Sequence, residues 1–360
     1  MAGKYPLKSC IFPYRWLVLN LKNLVELYNS DLFDLGYEAD SIRRTKHGDK
    51  VYFNMNRHIN PSNICADICK FCAFSSHRKN PNPYSLTKEE ILLDAKSAYD
   101  RGARELHIVS AHNPNYSYEW YFDIFRSIKS LIKDIHIKAM TAAEVDFLHR
   151  KFNKSYEEIL NDMVESGVDS MPGGGAEIFD TEIRNKICKG KVSSKNWLHI
   201  HKLWHKMGKK SNVTMLFGHI ESRENRINHM LLVKELQEES GGFNAFIPLV
   251  YQRFNNFLNV TNFMSGIEIL KTIAISRIIL SNINNIKAYW ATLGINLALV
   301  AQEFGANDID GTIEKENIQS AGGANSKKGL SKEELIHQIK DSGFTPVLRD
   351  SLYNELEVFN

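Results

Sequence analysis

The sequence is poor in the features that mark several large protein classes. No apolar run approaches the roughly 20 residues needed to cross a bilayer as a helix. The first residues carry neither the apolar segment nor the small-residue cleavage site of a signal peptide. Cysteine is scarce and odd in number, five in 360 residues, which is no paired framework of a secreted protein. The net charge of +3 is too small to suggest a polyanionic partner, so nucleic acid is not expected. No internal repeat or low-complexity tract is visible. A cytoplasmic protein without membrane or nucleic-acid partners is the expectation, and its 43% hydrophobic content is ordinary for a globular chain.

What is present is an alternation of short β-type runs with helical ones. Strands are expected near Val51 to His58, Glu105 to Ser110, His136 to Met140, Asp169 to Met171, Val213 to Phe217, Ala245 to Leu249, Ile286 to Trp290 and, more weakly, Asp308 to Gly311. Capping boxes mark helix starts at Thr87 with Glu90, Ser155 with Glu158, and Ser331 with Glu334; Gly102, Gly167 and Gly343 mark helix ends. Eight such α/β units predict a (βα)8 TIM-type barrel, closed or partly open. The expected organisation is an N-terminal extension over residues 1–49, the barrel over 50–330, and a C-terminal helix and extended tail over 331–360.

Three of the five cysteines, Cys65, Cys69 and Cys72, crowd into eight residues after the first strand, on the barrel face where active sites sit. A 4Fe-4S cube is normally held by four thiolates, so three would leave one iron open to a small molecule. The competing reading is a structural zinc site completed by a histidine such as His77. Zinc ligands usually come as two short knuckles, and no second pair follows here. Cys10 and Cys188 stand alone and do not supply a second cluster.

The spacing Cys65-x3-Cys69-x2-Cys72, with Phe71 before the third cysteine, resembles the signature of the radical S-adenosylmethionine superfamily. The resemblance extends to the aminofutalosine synthase family of the menaquinone pathway, from about Leu32 to Tyr353. It rests on His58-Ile-Asn-Pro-Ser-Asn-Ile-Cys65, on Glu105 to Pro114, on Asp169-Ser-Met-Pro-Gly-Gly-Gly-Ala-Glu177, on Met215 to Glu221 and on Ile247 to Gln252. It implies a transferase with a three-cysteine 4Fe-4S cluster, using S-adenosylmethionine as co-substrate. The 5'-deoxyadenosyl radical would add to 3-[(1-carboxyvinyl)oxy]benzoate, giving 6-amino-6-deoxyfutalosine, methionine and bicarbonate. A flavodoxin or ferredoxin would supply the electron. Cyclic dehypoxanthinyl futalosine synthase and the deazaflavin-forming synthases share much of the pattern but abstract hydrogen instead. A non-catalytic iron-sulfur or zinc protein is the alternative of another class.

Around that core, Gly173, Gly174 and Gly175 remove side chains where backbone must approach a ligand, and Glu177 offers acceptors to ribose hydroxyls. A plain strand-to-helix turn with a first-turn carboxylate explains the same residues. Phe71, Gly218 and Glu221 are further candidates for contact with the cofactor. An acceptor with two carboxylates calls for donors, for which His58, His112, His219 and Arg253 are candidates; His58, His219 and Arg253 are assigned to catalysis. Tyr251 and Trp290 could pack on the benzoate ring, and Lys138 is expected to face outward between helices.

Overall fold

The computed structural model describes residues 21–76, 82–261, 263–315, 317–324 and 329–360, so Cys10 and His77 lie outside the described residues. The run expected as one first strand divides at Met55 into β1 (Lys50–Asn54) and β2 (Asn56–Ile59). β2 begins a seven-stranded parallel sheet that continues in chain order through β3 (Glu105–Ile108), β4 (His136–Ala139), β5 (Ser170–Met171), β6 (Lys210–Phe217), β7 (Phe243–Val250) and β8 (Asn285–Ile286). β1 instead joins a second sheet with β9 (Asp308–Gly311), β10 (Thr345–Arg349) and β11 (Glu355–Val358), in the order β11-β10-β1-β9. The expected C-terminal tail is therefore two strands, the first parallel to β1.

Residues 308–314 span the gap between the two edges of the seven-stranded sheet. They touch β8 at Lys287–Asp308 and β2 at Arg57–Glu314, each a single bridge. The weakly signalled eighth strand thus closes the barrel by isolated contacts, and the architecture is the partly open form of the expected barrel. β8 is shorter than expected because the chain turns at Tyr289 into a short helix, Trp290–Leu293.

The helices between the strands begin where the caps predict. Thr87, Ser155 and Ser331 each accept from the N3 amide while the N3 glutamate returns a bond to the cap amide. Thr141 with Glu144 does the same for the helix Ala142–Phe152. Gly102, Gly167 and Gly343 have positive φ just past their helices, a region that glycine enters without a Cβ penalty. Among the described residues no helix is long and apolar enough to cross a membrane.

The barrel floor is charged. Lys138, expected to face outward, lies inside, with Nζ 2.6 Å from Glu105 Oε2 and both side chains buried. Arg349 of β10 reaches Asp308 at 2.6 Å, and Lys287 reaches Asp310 at 3.1 Å. Each buried acid is matched by a cation, which offsets the cost of taking both out of water.

Three histidines on the outer wall are buried in uncharged form. Burial drives His201 well below its ordinary 6.5, His205 down to about 4 and His229 to about 3. In the unfolded chain they take up protons near pH 6.5, so between that pH and the lowered folded values the unfolded state binds more protons. Stability is therefore expected to fall as pH drops below 6.5, by about 1.4 kcal/mol per pH unit for each such histidine. Thermal unfolding followed by circular dichroism should show a melting temperature that decreases steadily from pH 7 to pH 5.

Candidate active site

The loop after β2 is held by backbone bonds to three other parts of the barrel mouth. Ala66 N donates to His112 O at 2.8 Å, Lys70 N to Ile187 O at 2.7 Å, and Phe257 N to Lys70 O at 2.7 Å. His112, a candidate for meeting substrate, lines the cavity at the barrel mouth while it pairs through Nδ1 with Asp67 Oδ2 at 2.9 Å and stacks on Phe147. It thereby fixes the residue between the first two cysteines. Cys65, Cys69 and Cys72 all line one cavity of about 290 Å3. Burial pushes the Cys65 and Cys69 thiols up, so they bind a metal only where the metal itself stabilises the thiolates.

Among the described residues no three His, Cys, Asp or Glu side chains converge as a single metal ion requires. A cubane makes a different demand, because each thiolate takes its own iron and the ligands surround a volume. Three thiols on one cavity wall fit that demand; the histidine that the zinc reading calls for, His77, lies outside the described residues.

The same cavity is lined by Phe71, Gly173, Gly174, Gly175 and Glu177. The glycines are required by packing as well as by any ligand. A Cβ on Gly173 would stand 2.7 Å from Val213 Cα, and one on Gly175, where φ is +88°, would stand 2.7 Å from Ala143 Cβ. Thr214 Oγ1 donates to Gly173 O at 2.8 Å and Trp197 Nε1 to Gly174 O at 3.1 Å, so two of the turn's carbonyls already have partners within the protein. Glu177 follows at φ +49°, a costly conformation for a non-glycine residue.

Lys191, which no sequence pattern picks out, donates to Glu177 Oε1 at 2.8 Å and lies 5.7 Å from the Phe71 ring centre. Burial works against its charge, but Glu177 and the neighbouring Cys69 outweigh that and hold the ammonium well above its ordinary value. One bond from Lys191 leaves a carboxylate with further acceptor sites.

His58 also lines the cavity, beside His107 on β3, with ring centres 4.6 Å apart. Tyr251 lines it too, its hydroxyl donating to Asn256 Oδ1 at 2.6 Å. The roof comes from residues 318–322, where a Cβ on Gly322 would meet Gln252 Cβ at 2.7 Å.

The remaining expected residues are placed elsewhere. Glu221 accepts from the amides of Gly218 and His219 at 2.7 and 2.8 Å and from Arg226 Nε at 2.8 Å. His219 in turn approaches its own loop at Leu216 O and Ile220 N. These three residues spend their polar groups organising the turn after β6 and do not line the cavity. Arg253 lies over Phe263, 3.9 Å from the ring centre, and donates to Thr261 O, also outside the lining. Trp290 is buried with Nε1 bonded to Gly311 O at 2.8 Å.

A parallel barrel with a three-cysteine loop after its first strand defines a class, and comparison with known proteins agrees: residues 59–233 match the model of the Radical SAM superfamily, and the chain belongs to that superfamily. Residues 240–360 match the CofH/MqnC C-terminal region. The chain is 38% identical over 341 residues to the aminodeoxyfutalosine synthase of Thermus thermophilus, covering 94% of this chain and 92% of that one. It is also 38% identical over 340 residues to the 5-amino-6-(D-ribitylamino)uracil--L-tyrosine 4-hydroxyphenyl transferase of Archaeoglobus fulgidus, covering 93% and 98%. Among solved structures, methylornithine synthase shares the fold with a TM-score of 0.72 at 18% identity, over 91% of this chain and 94% of that one. As in its superfamily, the cofactors are a 4Fe-4S cluster and S-adenosylmethionine.

Proposed function

We propose that the chain is an aminodeoxyfutalosine synthase, joining the 5'-deoxyadenosyl group of S-adenosylmethionine to 3-[(1-carboxyvinyl)oxy]benzoate and releasing methionine and bicarbonate. The observation that carries this reading is one cavity that gathers the three thiols, the glycine turn, Glu177 and a histidine pair. Near-full-length similarity to the Thermus thermophilus enzyme supports the choice of acceptor.

Cys65, Cys69 and Cys72 hold the cluster, which when bound supplies the electron that breaks the carbon-sulfur bond of S-adenosylmethionine. Gly173 to Gly175 let the nucleoside come close to backbone, and Glu177, oriented by Lys191, accepts from the ribose hydroxyls. Phe71 packs beside them. The half-enclosed cavity keeps water from a reactive carbon centre. His58 faces the acceptor, while Gly218, His219 and Glu221 shape the neighbouring turn and Arg253 braces the outer rim. A small one-electron protein of flavodoxin or ferredoxin type is the donor.

The equal similarity to the tyrosine 4-hydroxyphenyl transferase gives the second reading, in which an amino acid and a ribitylaminouracil replace the benzoate. Anaerobic turnover with each acceptor, followed by mass spectrometry, separates them. An adduct carrying the adenosyl group with the enol-ether benzoate is the expected result. Free 5'-deoxyadenosine with product formed only from tyrosine and the uracil would replace this reading by the second.

A further inference from the structure

One wall of the cavity is the inner face of β6. Asn212, Thr214 and Leu216 line it, while Val213, Met215 and Phe217 between them are fully buried on the other face. The strand also sets their depth. Leu216 N donates to Glu177 O at 2.7 Å, so Glu177 stands level with Leu216 near the mouth. Asn212 lies four residues back along the strand, about 13 Å deeper at about 3.3 Å per residue.

Other polar side chains of the cavity are committed within the protein. Asn60 Nδ2 donates to Val109 O at 2.9 Å and Thr214 Oγ1 to Gly173 O at 2.8 Å. Asp310 accepts from Asn56 Nδ2 at 3.0 Å and pairs with Lys287 at 3.1 Å. Asn212 differs from these. It is only 5% exposed, yet among the described residues its side chain makes no hydrogen bond. Its amide thus brings two N–H donors and an acceptor to the inner end of the cavity, and an amide withdrawn from water without a partner is destabilising. A bound molecule that supplies the missing bond removes that cost.

The depth of Asn212 selects the molecule. Both anchors for S-adenosylmethionine, the cysteine loop and Glu177, belong to the mouth, so the acceptor is what extends inward. Its enol-ether double bond must stay at the mouth to meet the 5' carbon, and the carboxylate that points inward is then the one on the ring. Between the two levels the wall is apolar at Val109 and at Ile247, the register partner of Thr214, which suits an aromatic ring. The acids of the floor are each matched by a cation, Glu105 by Lys138, Asp308 by Arg349 and Asp310 by Lys287, so no unpaired carboxylate opposes the anion.

We propose that Asn212 is a specificity-determining binding residue, whose Nδ2 donates to an oxygen of the acceptor's ring carboxylate. The proposal rests on the reading of the chain as an aminodeoxyfutalosine synthase.

The test is calorimetric binding to anaerobic holoenzyme with S-adenosylmethionine and no reductant, for the wild type and Asn212→Leu. Two ligands are compared: 3-[(1-carboxyvinyl)oxy]benzoate and 2-phenoxyacrylate, the same enol ether without the ring carboxylate. Asn212→Leu is expected to weaken binding of the benzoate tenfold or more and of 2-phenoxyacrylate less than twofold, with iron content and affinity for S-adenosylmethionine unchanged. The variant should melt no lower than the wild type, because leucine is close in volume and leaves no amide without a partner; a purely structural asparagine would give a lower melting temperature. Benzoate binding within twofold of wild type overturns the role of Asn212. Equal losses for the two ligands overturn it as well, as does a loss that follows lost iron or lost S-adenosylmethionine. If the wild type binds S-adenosylmethionine but neither enol ether, the choice of acceptor fails and the proposal with it. If the wild type binds the benzoate and the variant binds it equally well, only the role of Asn212 fails.

Discussion

Cys69→Ala is expected to abolish iron binding and methionine release together while leaving the barrel folded. Among the described residues Cys69 is one of three thiols on the cavity wall, and the loop that carries it is tied to the barrel through the backbone of Ala66 and Lys70. The loop therefore keeps its place when the sulfur is removed. A cube with two remaining thiolates has two open irons and is expected not to survive reconstitution. Iron analysis and methionine release after anaerobic reconstitution with dithionite should both fall to background, while the far-ultraviolet circular dichroism stays that of the wild type. Cys188→Ala is the control. Cys188 is buried beside this region but does not line the cavity, and its removal should leave the iron content intact.

Lys138→Met is expected to produce the largest loss of stability from a single substitution. Glu105 would lose its ion-pair partner inside the barrel, where burial raises a carboxyl and, in the wild type, Lys138 together with His136 and His107 more than compensates to hold it well below its ordinary range. Removing one member of such a pair costs on the order of 3–5 kcal/mol. Replacing both, as Lys138→Met with Glu105→Leu, should recover most of that loss, because an apolar pair of similar volume carries no desolvation penalty. Urea unfolding of the three variants checks this. Equal stability of Lys138→Met and the wild type would mean that the pair is reached by water.

Much of the fold was legible because its signals are local. Capping boxes at Thr87, Ser155 and Ser331 depend on four consecutive residues, and Gly102, Gly167 and Gly343 depend on backbone geometry at one position. The division at Met55 was not legible, since β1 and β2 form one run of strand-forming residues. What separates them is the choice of partner, with β10 nearly 300 residues away drawing the first half into another sheet. In the site, spacing alone marks the three cysteines and the glycine turn. Glu221 and His219 are the residue types a ligand site would use, yet they satisfy one another and their own turn. Lys191 and Asp310 lack any spacing pattern, and their places follow from tertiary contacts to Glu177 and Asn56.

The central claim is that the three cysteines hold a cluster with an open iron that S-adenosylmethionine occupies. The most direct measurement is metal content and reductive cleavage on one sample of anaerobically purified wild-type protein. Close to four irons per chain, with methionine released only when both dithionite and S-adenosylmethionine are present, is the predicted result. One zinc per chain, no iron and no methionine would contradict it.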